Sequence, residues 1–290
     1  KVQSQTGKTD LVLQKQTPGQ QWRGLGKFLE AHNTYTPTND KGLKYRCCCV
    51  ESVVPVNHDT KLLCVSLPQG TSMCVPVGYH VHIRHQVEDV MVVRSYTLVQ
   101  PALDSKITDH RLSQGKVFYL MIKIYKDGVF TPWIDSLKPG DTIEVSQYDG
   151  DFRESRLAGQ GDLVMYAAGT GFTPMVSLIN HCLSQNNSRK VKLMFFNKTE
   201  ADILWREHLD SLSDQHEWFT VQYVLSEPDE NWTGPQGRIR PDLMKIFSPA
   251  PEGKSDTLIC ACGPTPFTKT VIQLAKDIGY SDDNLHAFLG

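Results

Sequence analysis

Two glycines near the middle of the chain follow an apolar segment and have the spacing of an anion-binding turn. Residues 163–168 are apolar without alternation, which is typical of a strand covered on both faces in a parallel sheet. Gly169 and Gly171 permit a sharp turn and a close approach of the backbone to a ligand, and Pro174 suits the first turn of a helix. Free amide groups at such a helix start can bind a nucleotide pyrophosphate.

An ordinary turn between a strand and a helix would show the same pattern, so these glycines alone do not decide between the two interpretations. The standard dinucleotide motif has a third glycine, whereas Pro174 intervenes in this chain. The role of the turn therefore depends on the rest of the sequence.

A second candidate is the segment formed by Arg94, Ser95, Tyr96 and Thr97, which has the composition of a strand. Arg94 and Tyr96 share one face because side chains alternate along a strand. A guanidinium group can bind a pyrophosphate with two hydrogen bonds, and a tyrosine can cover a flat ring. An exposed arginine and a packed tyrosine on a surface strand would give the same pattern.

Histidines and cysteines were considered as metal ligands. His80 and His82 share one strand face, with His85 nearby. No carboxylate or cysteine is spaced in the sequence to complete a site with them, so we expect no metal here. The eight cysteines contain no C-x-x-C pair, which argues against a structural zinc or an iron–sulfur cluster. We expect reduced thiols in a cytosolic compartment.

Length and composition bound the class of protein. A chain of 290 residues with 40% hydrophobic and 21% charged residues is typical of a soluble protein of two domains. The net charge of −2 gives no reason to expect nucleic acid or a membrane surface as a partner. No apolar run approaches the roughly 20 residues that span a bilayer. The first residues resemble an internal point of a longer protein.

The elements that must position these residues fall into two groups. Short strand-like segments separated by Gly, Pro, Asn and Asp predict a small antiparallel barrel. The predicted strands are 45–54, 61–67, 78–83, 92–98, 117–125 and 142–145, with a short helix at 131–137.

From about residue 158 the pattern changes to strands alternating with helices, which predicts a parallel sheet covered by helices. The predicted strands are 163–168, 191–196, 219–225 and 257–261, and the helices are 174–183, 201–212, 241–247 and 266–278. Thr199 and Asp202 resemble a capping box that opens the second helix. Ligands of such sheets bind beyond the carboxyl ends of the strands, where the Gly169 turn and the segment 262–266 are both expected.

Four motifs together resemble the cytochrome b5 reductase family of flavoproteins, within the wider ferredoxin reductase-like group. They are RSYT at 94–97, IKIY at 122–125 with GVFT at 128–131, GTGFTPM at 169–175 and CGPTP at 262–266. The resemblance covers residues 43–290 and implies an FAD-binding β-barrel domain at 41–157 followed by an NAD(P)-binding α/β domain at 158–290. It further implies an enzyme that passes hydride from NADH or NADPH to FAD and then single electrons to a haem acceptor of the cytochrome b5 type.

The resemblance also implies roles for individual residues in the FAD site. Arg94 would bind the pyrophosphate, Tyr96 would pack beside the flavin, and Thr97 would hydrogen-bond near flavin N5. Thr173 would lie near both the flavin and the nicotinamide. The remaining residues implied at the FAD site are Ser95, Ile122, Ile124, Tyr125, Gly128, Val129, Phe130 and Thr131.

For the pyridine nucleotide, the resemblance implies that Cys262 lies beside the nicotinamide and acts catalytically with Thr97 and Thr173. The other residues implied at this site are Gly169, Thr170, Gly171, Asn197, Ser226, Gly263, Pro264 and Phe288. NADH-selective relatives carry an aspartate at the position of Ser226, and a carboxylate there repels a 2′-phosphate. We therefore expect NADPH to be accepted as well as NADH, with Lys198 or Arg238 as candidates to pair with the phosphate.

Residues 1–40 resemble the last strand of a CS (p23-like) domain followed by a linker, on the basis of Leu11–Lys15, Trp22 and the Leu25–Gly26 turn. A CS module precedes the reductase module in relatives that begin with a cytochrome b5 haem domain. This chain has no His-Pro-Gly-Gly haem motif, so we expect the haem domain elsewhere in the full-length protein. We expect a cytoplasmic location associated with the endoplasmic reticulum.

Two alternatives remain open at this point. One is a reductase of the same fold that serves a different one-electron acceptor. A plant-type iron–sulfur domain within the chain would show C-x₄-C-x₂-C, which is absent from the sequence. The other is an interaction module with a degenerate flavin site, although the presence of Arg94, Tyr96, Thr97 and Cys262 argues against it.

Overall fold

The chain divides into two compact units, Lys1–Gly42 and Leu43–Gly290. The computed structural model describes residues 42–103, 109–159, 161–184, 189–251 and 255–289. The CS-like strand, Trp22 and the polar linker of the sequence analysis lie outside these described residues. The fold described below is that of the second unit.

The first half of this unit is a closed antiparallel barrel of six strands, as the sequence predicts. On β5 the side chains of Phe118, Leu120 and Ile122 point into the barrel core, whereas Tyr119 and Met121 pack toward the second half of the unit. Alternation along one strand thus serves two cores. The strands are β1 Tyr45–Pro55, β2 Thr60–Ser66, β3 His80–Val87, β4 Val90–Val99, β5 Val117–Lys123 and β6 Thr142–Ser146, and the helices are α1 His110–Ser113 and α2 Thr131–Ser136.

The second half is a five-stranded parallel sheet, which is also as predicted. Its strands follow the order β11-β10-β7-β8-β9. The chain therefore moves outward from β7 to β9 and then returns to β10 on the other side, so that the topological switch point lies between β7 and β10. The strands are β7 Leu163–Ala168, β8 Val191–Asn197, β9 Phe219–Leu225, β10 Leu258–Cys262 and β11 Leu285–Phe288, and the helices are α3 Phe172–Ser184, α4 Arg206–Gln215, α5 Pro241–Phe247 and α6 Thr265–Asp277.

Barrel and sheet share a hydrophobic core. Val99, Met121 and Phe152 of the barrel side pack in one cluster with the buried face of α3. The Ser177 hydroxyl of α3 donates a hydrogen bond of 3.0 Å to the carbonyl of Leu98 on β4. This packing fixes the start of α3, and with it the glycine turn, beside the strand that carries Arg94 to Thr97.

The predicted capping box is present but opens a different element. Asp202 accepts hydrogen bonds from the Thr199 amide at 3.0 Å and the Thr199 hydroxyl at 2.7 Å, and it also pairs with Lys123 of the barrel at 3.3 Å. The capped element is a single 3-10 turn, Glu200–Asp202. Trp205 then adopts a left-handed conformation with φ 51°, so the prediction of a helix from residue 201 was wrong and α4 begins at Arg206.

Candidate active site

The two glycine-containing turns that the sequence singled out lie in direct contact at the switch point of the sheet. One follows β7 and the other follows β10, and these strands pair in parallel with Cys262 opposite Ala167. A Cβ atom on Gly171 would overlap the carbonyl group of Cys262 and would lie 2.6 Å from the amide nitrogen of Gly263. Only glycine permits this approach of one backbone to the other.

Gly169 has a different requirement from Gly171. Its φ of +53° lies in the left-handed region, and a Cβ atom there would have no neighbour within 4 Å. The space around Gly169 is thus open, while that around Gly171 is filled by backbone. Thr173, in the first turn of α3, is 8% exposed and donates a hydrogen bond of 3.1 Å to the carbonyl of Thr170.

Cys262 is half-buried at the end of β10 and lies opposite Phe288 of β11. Burial raises the pKa of the Cys262 thiol to about 12, although a hydrogen bond from the Gly263 amide lowers it in part. The side chain is therefore a neutral thiol at physiological pH and not a thiolate nucleophile. Phe288 packs on Phe152, with ring centroids 5.4 Å apart, so the last strand closes the sheet against the segment that leaves the barrel.

Asn197 at the end of β8 has a buried carboxamide with no hydrogen-bond partner among the described residues. The residue is 7% exposed, and both Nδ2 and Oδ1 lack a partner there. Its backbone carbonyl accepts a hydrogen bond of 3.0 Å from the amide of Ser226, which is itself exposed. Buried polar atoms are almost always paired, so this carboxamide has the character of a group that binds a ligand or a water molecule.

On the barrel, Arg94 and Tyr96 differ in burial as the alternation argument requires of a ligand-facing strand. The Arg94 side chain is exposed and donates a hydrogen bond of 2.8 Å to the carbonyl of Val93. Tyr96 stacks on Phe130 with ring centroids 6.4 Å apart, and burial raises its pKa. Thr97 is half-buried and pairs with His80 across the β3–β4 ladder.

The loop from Gly128 to Thr131 is tightly closed. The Thr131 hydroxyl accepts a hydrogen bond of 2.9 Å from the Tyr125 amide and donates one of 3.1 Å to the Tyr125 carbonyl. The Gly128 amide donates to the same carbonyl at 2.9 Å. The amides of Val129 and Phe130 have no acceptor within the described ranges, so they are available to an anion.

The side chains implied beside this loop have different surroundings. Tyr125 is 56% exposed, whereas Ile122 is only 1% exposed inside the barrel core. Ile124 is half-buried against the same core. The implied contact of Ile122 with FAD therefore needs correction, because alternation on β5 turns its side chain inward and leaves only its backbone for a ligand.

Sequence reasoning missed one cluster altogether. Asp149, in the segment after β6, lies beside His80 and His82, with candidate ligand atoms of all three within 4.8 Å of one another. The expectation that no carboxylate accompanies these histidines was wrong, because barrel closure brings Asp149 back to β3. Only the pairing of distant segments, which has no local sequence signal, creates this cluster.

Comparison with known proteins defines the class of this fold and site. Residues 47–153, which contain the barrel, match the family described as oxidoreductase FAD-binding domain. Residues 165–273, which contain most of the parallel sheet, match the oxidoreductase NAD-binding domain. The chain is thus an oxidoreductase of the type that binds FAD and NAD.

The chain belongs to the cytochrome b5 reductase family. It is 30% identical over 247 residues to NADH-cytochrome b5 reductase 1 of Dictyostelium discoideum, covering 84% of this chain and 82% of that protein. It is 45% identical over 289 residues to cytochrome b5 reductase 4 of Rattus norvegicus, covering 99% of this chain and 55% of that protein. The chain therefore spans about half the length of such relatives.

A solved structure resembles this chain over nearly its whole length. The CS-b5R domains of human Ncb5or, in the NAD+ form, align with a TM-score of 0.82 and 42% identity, covering 93% of this chain and 76% of that chain. The open amides of the 128–131 loop, the exposed Arg94 and the unpaired Asn197 carboxamide are compatible with the two cofactors that the family binds. Throughout the described ranges, no helix is both long enough and apolar enough to cross a membrane.

Proposed function

We propose that this chain transfers electrons from NADH or NADPH, through bound FAD, to a haem acceptor of the cytochrome b5 type. The observation that carries the proposal is the contact of Gly171 with Cys262 at the switch point, next to the barrel strand with Arg94, Tyr96 and Thr97. When bound, FAD supplies the chemistry, because it accepts hydride from a pyridine nucleotide and passes electrons on singly.

Arg94 is proposed to leave the Val93 carbonyl and to bind the FAD pyrophosphate, with the amides of Val129 and Phe130 as further donors. The exposed position of Arg94 makes this rearrangement inexpensive, because the bond it gives up is a single one to its neighbouring residue. A charged donor that binds two phosphate oxygens gains both strength and orientation. Tyr96, already stacked on Phe130, offers a fixed surface to the flavin.

Thr97 is proposed to hold a hydrogen bond at flavin N5, and Cys262 to pack beside the nicotinamide as a neutral group. A neutral thiol suits this place because it adds no charge next to the nicotinamide ring. Gly169 and Gly171 are proposed to let the pyridine nucleotide approach the backbone, with Asn197 donating and accepting hydrogen bonds to its polar part. These residues position the reactants within reach of each other, which is the protein's main contribution to such a reaction.

NADPH is proposed as a substrate alongside NADH. Ser226 is exposed and neutral, so no carboxylate at this position opposes a 2′-phosphate. Lys198 extends nearby, with its Nζ 3.8 Å from Glu227 and 71% of its side chain exposed. An ion pair between such exposed groups contributes at most about 1 kcal/mol, so Lys198 can exchange Glu227 for a phosphate at little cost.

The proposal extends to the full-length protein. We propose domain bounds of 41–157 for the FAD domain and 158–290 for the NAD(P) domain, preceded by the end of a CS domain at 1–40. Likeness to the human CS-b5R structure and the greater length of the rat relative support this arrangement. The acceptor is then a cytochrome b5-type domain of the same protein, in the cytoplasm near the endoplasmic reticulum.

The acceptor is tested by mixing the purified chain, NADH and an oxidised cytochrome b5 haem domain under anaerobic conditions. The proposal predicts reduction of the haem that depends on the flavin content of the preparation. Rapid flavin reduction followed by no haem reduction would favour the alternative reductase with a different acceptor. A preparation that is colourless and takes up no added FAD would favour the interaction module.

A further inference from the structure

A cluster of two histidines and one aspartate lies on the outside of the barrel, apart from the residues assigned to FAD and NAD(P). Backbone hydrogen bonds of 2.9 Å and 2.8 Å join His80 and Asp149 in both directions. His82 follows two residues later on the same strand face, and its ring meets that of His80 edge-on at 4.9 Å between centroids. The candidate ligand atoms of the three side chains lie within 4.8 Å of one another.

The surroundings of His82 orient its ring for a cation. Its Nδ1 lies 3.0 Å from the Ser95 hydroxyl, while its Nε2 is buried without a hydrogen-bond partner among the described residues and lies 3.6 Å from an Asp149 oxygen. If Nδ1 donates to Ser95, then Nε2 presents a lone pair to a carboxylate. Two facing electron-rich atoms that are too far apart for a hydrogen bond are stabilised by a positive ion between them.

We propose that His80, His82 and Asp149 form a binding site for a divalent metal ion, with Zn²⁺ as the ion that fits best. Two imidazoles and one carboxylate, with a fourth position left to water, are a donor set typical of zinc. Ser95 fixes the ring orientation of His82 in the manner of the outer partners of metal-binding histidines. Because Zn–N and Zn–O bonds of about 2 Å place tetrahedral ligands roughly 3.3 Å apart, side-chain movements of about an ångström close the site.

A second cluster in the described part of the chain shows why composition alone is insufficient. His58, Asp59 and Asp202 also bring their ligand atoms together. The Nζ of Lys123, however, lies 2.7 Å from Asp59 and 3.3 Å from Asp202. An ammonium group thus already neutralises those carboxylates, so this cluster is explained as an ion pair between barrel and sheet.

The proposed metal site is independent of the proposed function, because no metal ligand belongs to the residues assigned to the cofactors. It does lie close to them. His80 pairs with Thr97 and His82 pairs with Ser95 across the β3–β4 ladder. The site can therefore be tested by metal binding alone, whether or not the chain reduces a haem.

The first test is calorimetric titration of the complete, tag-free chain with Zn²⁺ near neutral pH, after removal of metals with a chelator. We expect one ion to bind per chain at this cluster, and His82→Gln and Asp149→Asn each to weaken that binding at least about tenfold. His110→Gln, at an exposed histidine on α1, serves as the matched control and should bind as the unmodified chain does. Equal binding in all four proteins, or no binding in the unmodified chain, would overturn the proposal.

A second measurement does not depend on the folding of any variant. X-ray absorption of the zinc-loaded, unmodified chain reports the atoms around the ion. The proposal predicts nitrogen and oxygen neighbours at about 2.0–2.2 Å with the outer scattering of imidazole. A shell of sulfur at about 2.3 Å would assign the ion to the exposed thiols of Cys47 or Cys74 instead and would refute the site.

Discussion

The backbone of Gly171 lies against the carbonyl of Cys262 so closely that no side chain fits between them. This contact joins the turn after β7 to the turn after β10, the two places where the sheet presents its carboxyl ends at the switch point. It therefore couples the stability of the fold to the geometry of the proposed nicotinamide site.

Substitution of Gly171 by alanine tests this coupling. We expect Gly171→Ala to lower the free energy of unfolding by about 1–3 kcal/mol, because its Cβ must displace the backbone of Cys262. The rate of flavin reduction by NADH should fall as well. Gly169→Ala is the control, since it meets no neighbour and costs only the left-handed conformation, about 1–2 kcal/mol. Urea unfolding that shows both variants equally stable, with equal rates of reduction, would contradict the account.

The unpaired carboxamide of Asn197 leads to an unusual expectation. Asn197→Leu removes two buried polar atoms that lack partners in the described residues, so the free energy of unfolding should stay the same or rise. The KM for NADH should nevertheless rise about tenfold, because a hydrogen-bonded amide is worth roughly 1.4 kcal/mol to a ligand. Thermal unfolding and steady-state kinetics measure the two effects. Lower stability with an unchanged KM would mean that Asn197 serves the fold alone.

The selectivity between NADH and NADPH should be controlled at Ser226. Ser226→Asp places a carboxylate where the 2′-phosphate is proposed to lie, so we expect the KM for NADPH to rise about tenfold or more and that for NADH to change little. Ser226→Asn, of similar size and without charge, is the matched control. If both substitutions changed the two KM values in parallel, the position would not read the phosphate.

Flavin retention should depend on Arg94. We expect Arg94→Gln to weaken FAD binding by about 1.5–3 kcal/mol, the contribution of a hydrogen bond to a charged group. Its fold should be unaffected, since the side chain is exposed and bonds only to Val93 in the described structure. The flavin content after gel filtration measures the effect, with exposed Arg153→Gln as control. Full flavin content in Arg94→Gln would remove this residue from the proposed site.

Stability should decline at alkaline pH through the buried thiols. Burial raises the pKa of Cys260 from 9.0 to about 12. Above pH 9.0 the unfolded chain loses this proton while the folded chain retains it, so stability present below that pH is lost as the pH rises toward 12. Urea unfolding between about pH 8 and about pH 10.5 should show this decline, with a shallower slope for Cys260→Ala. An equal slope in the variant would assign the decline to other groups.

The sequence predicts those elements whose signals are local. Its bounds for β7, β9 and α5 agree with the structure, because apolar runs and a proline at a helix start act within a few residues. The four-residue strand β11 was missed, because it is stabilised by parallel pairing with β10 and not by its own composition. The start of α4 was misplaced because Trp205 adopts a left-handed conformation that packing imposes.

The site shows the same division between local and distant information. The glycine turns and the segment with Arg94 are recognisable as motifs in the sequence. The inward direction of Ile122 depends on where the barrel closes, and the approach of Asp149 to His82 depends on the pairing of β3 with the segment after β6. Such relationships become visible only when distant segments have been placed together.

The central claim is that this chain accepts reducing equivalents from both pyridine nucleotides at its own flavin. Anaerobic mixing of the FAD-loaded chain with NADH, and separately with NADPH, followed by flavin absorbance, tests it most directly. The account predicts complete loss of the oxidised flavin absorbance with each nucleotide. Persistence of the oxidised flavin spectrum with NADPH would contradict the assignment of Ser226, and its persistence with both nucleotides would contradict the proposed function itself.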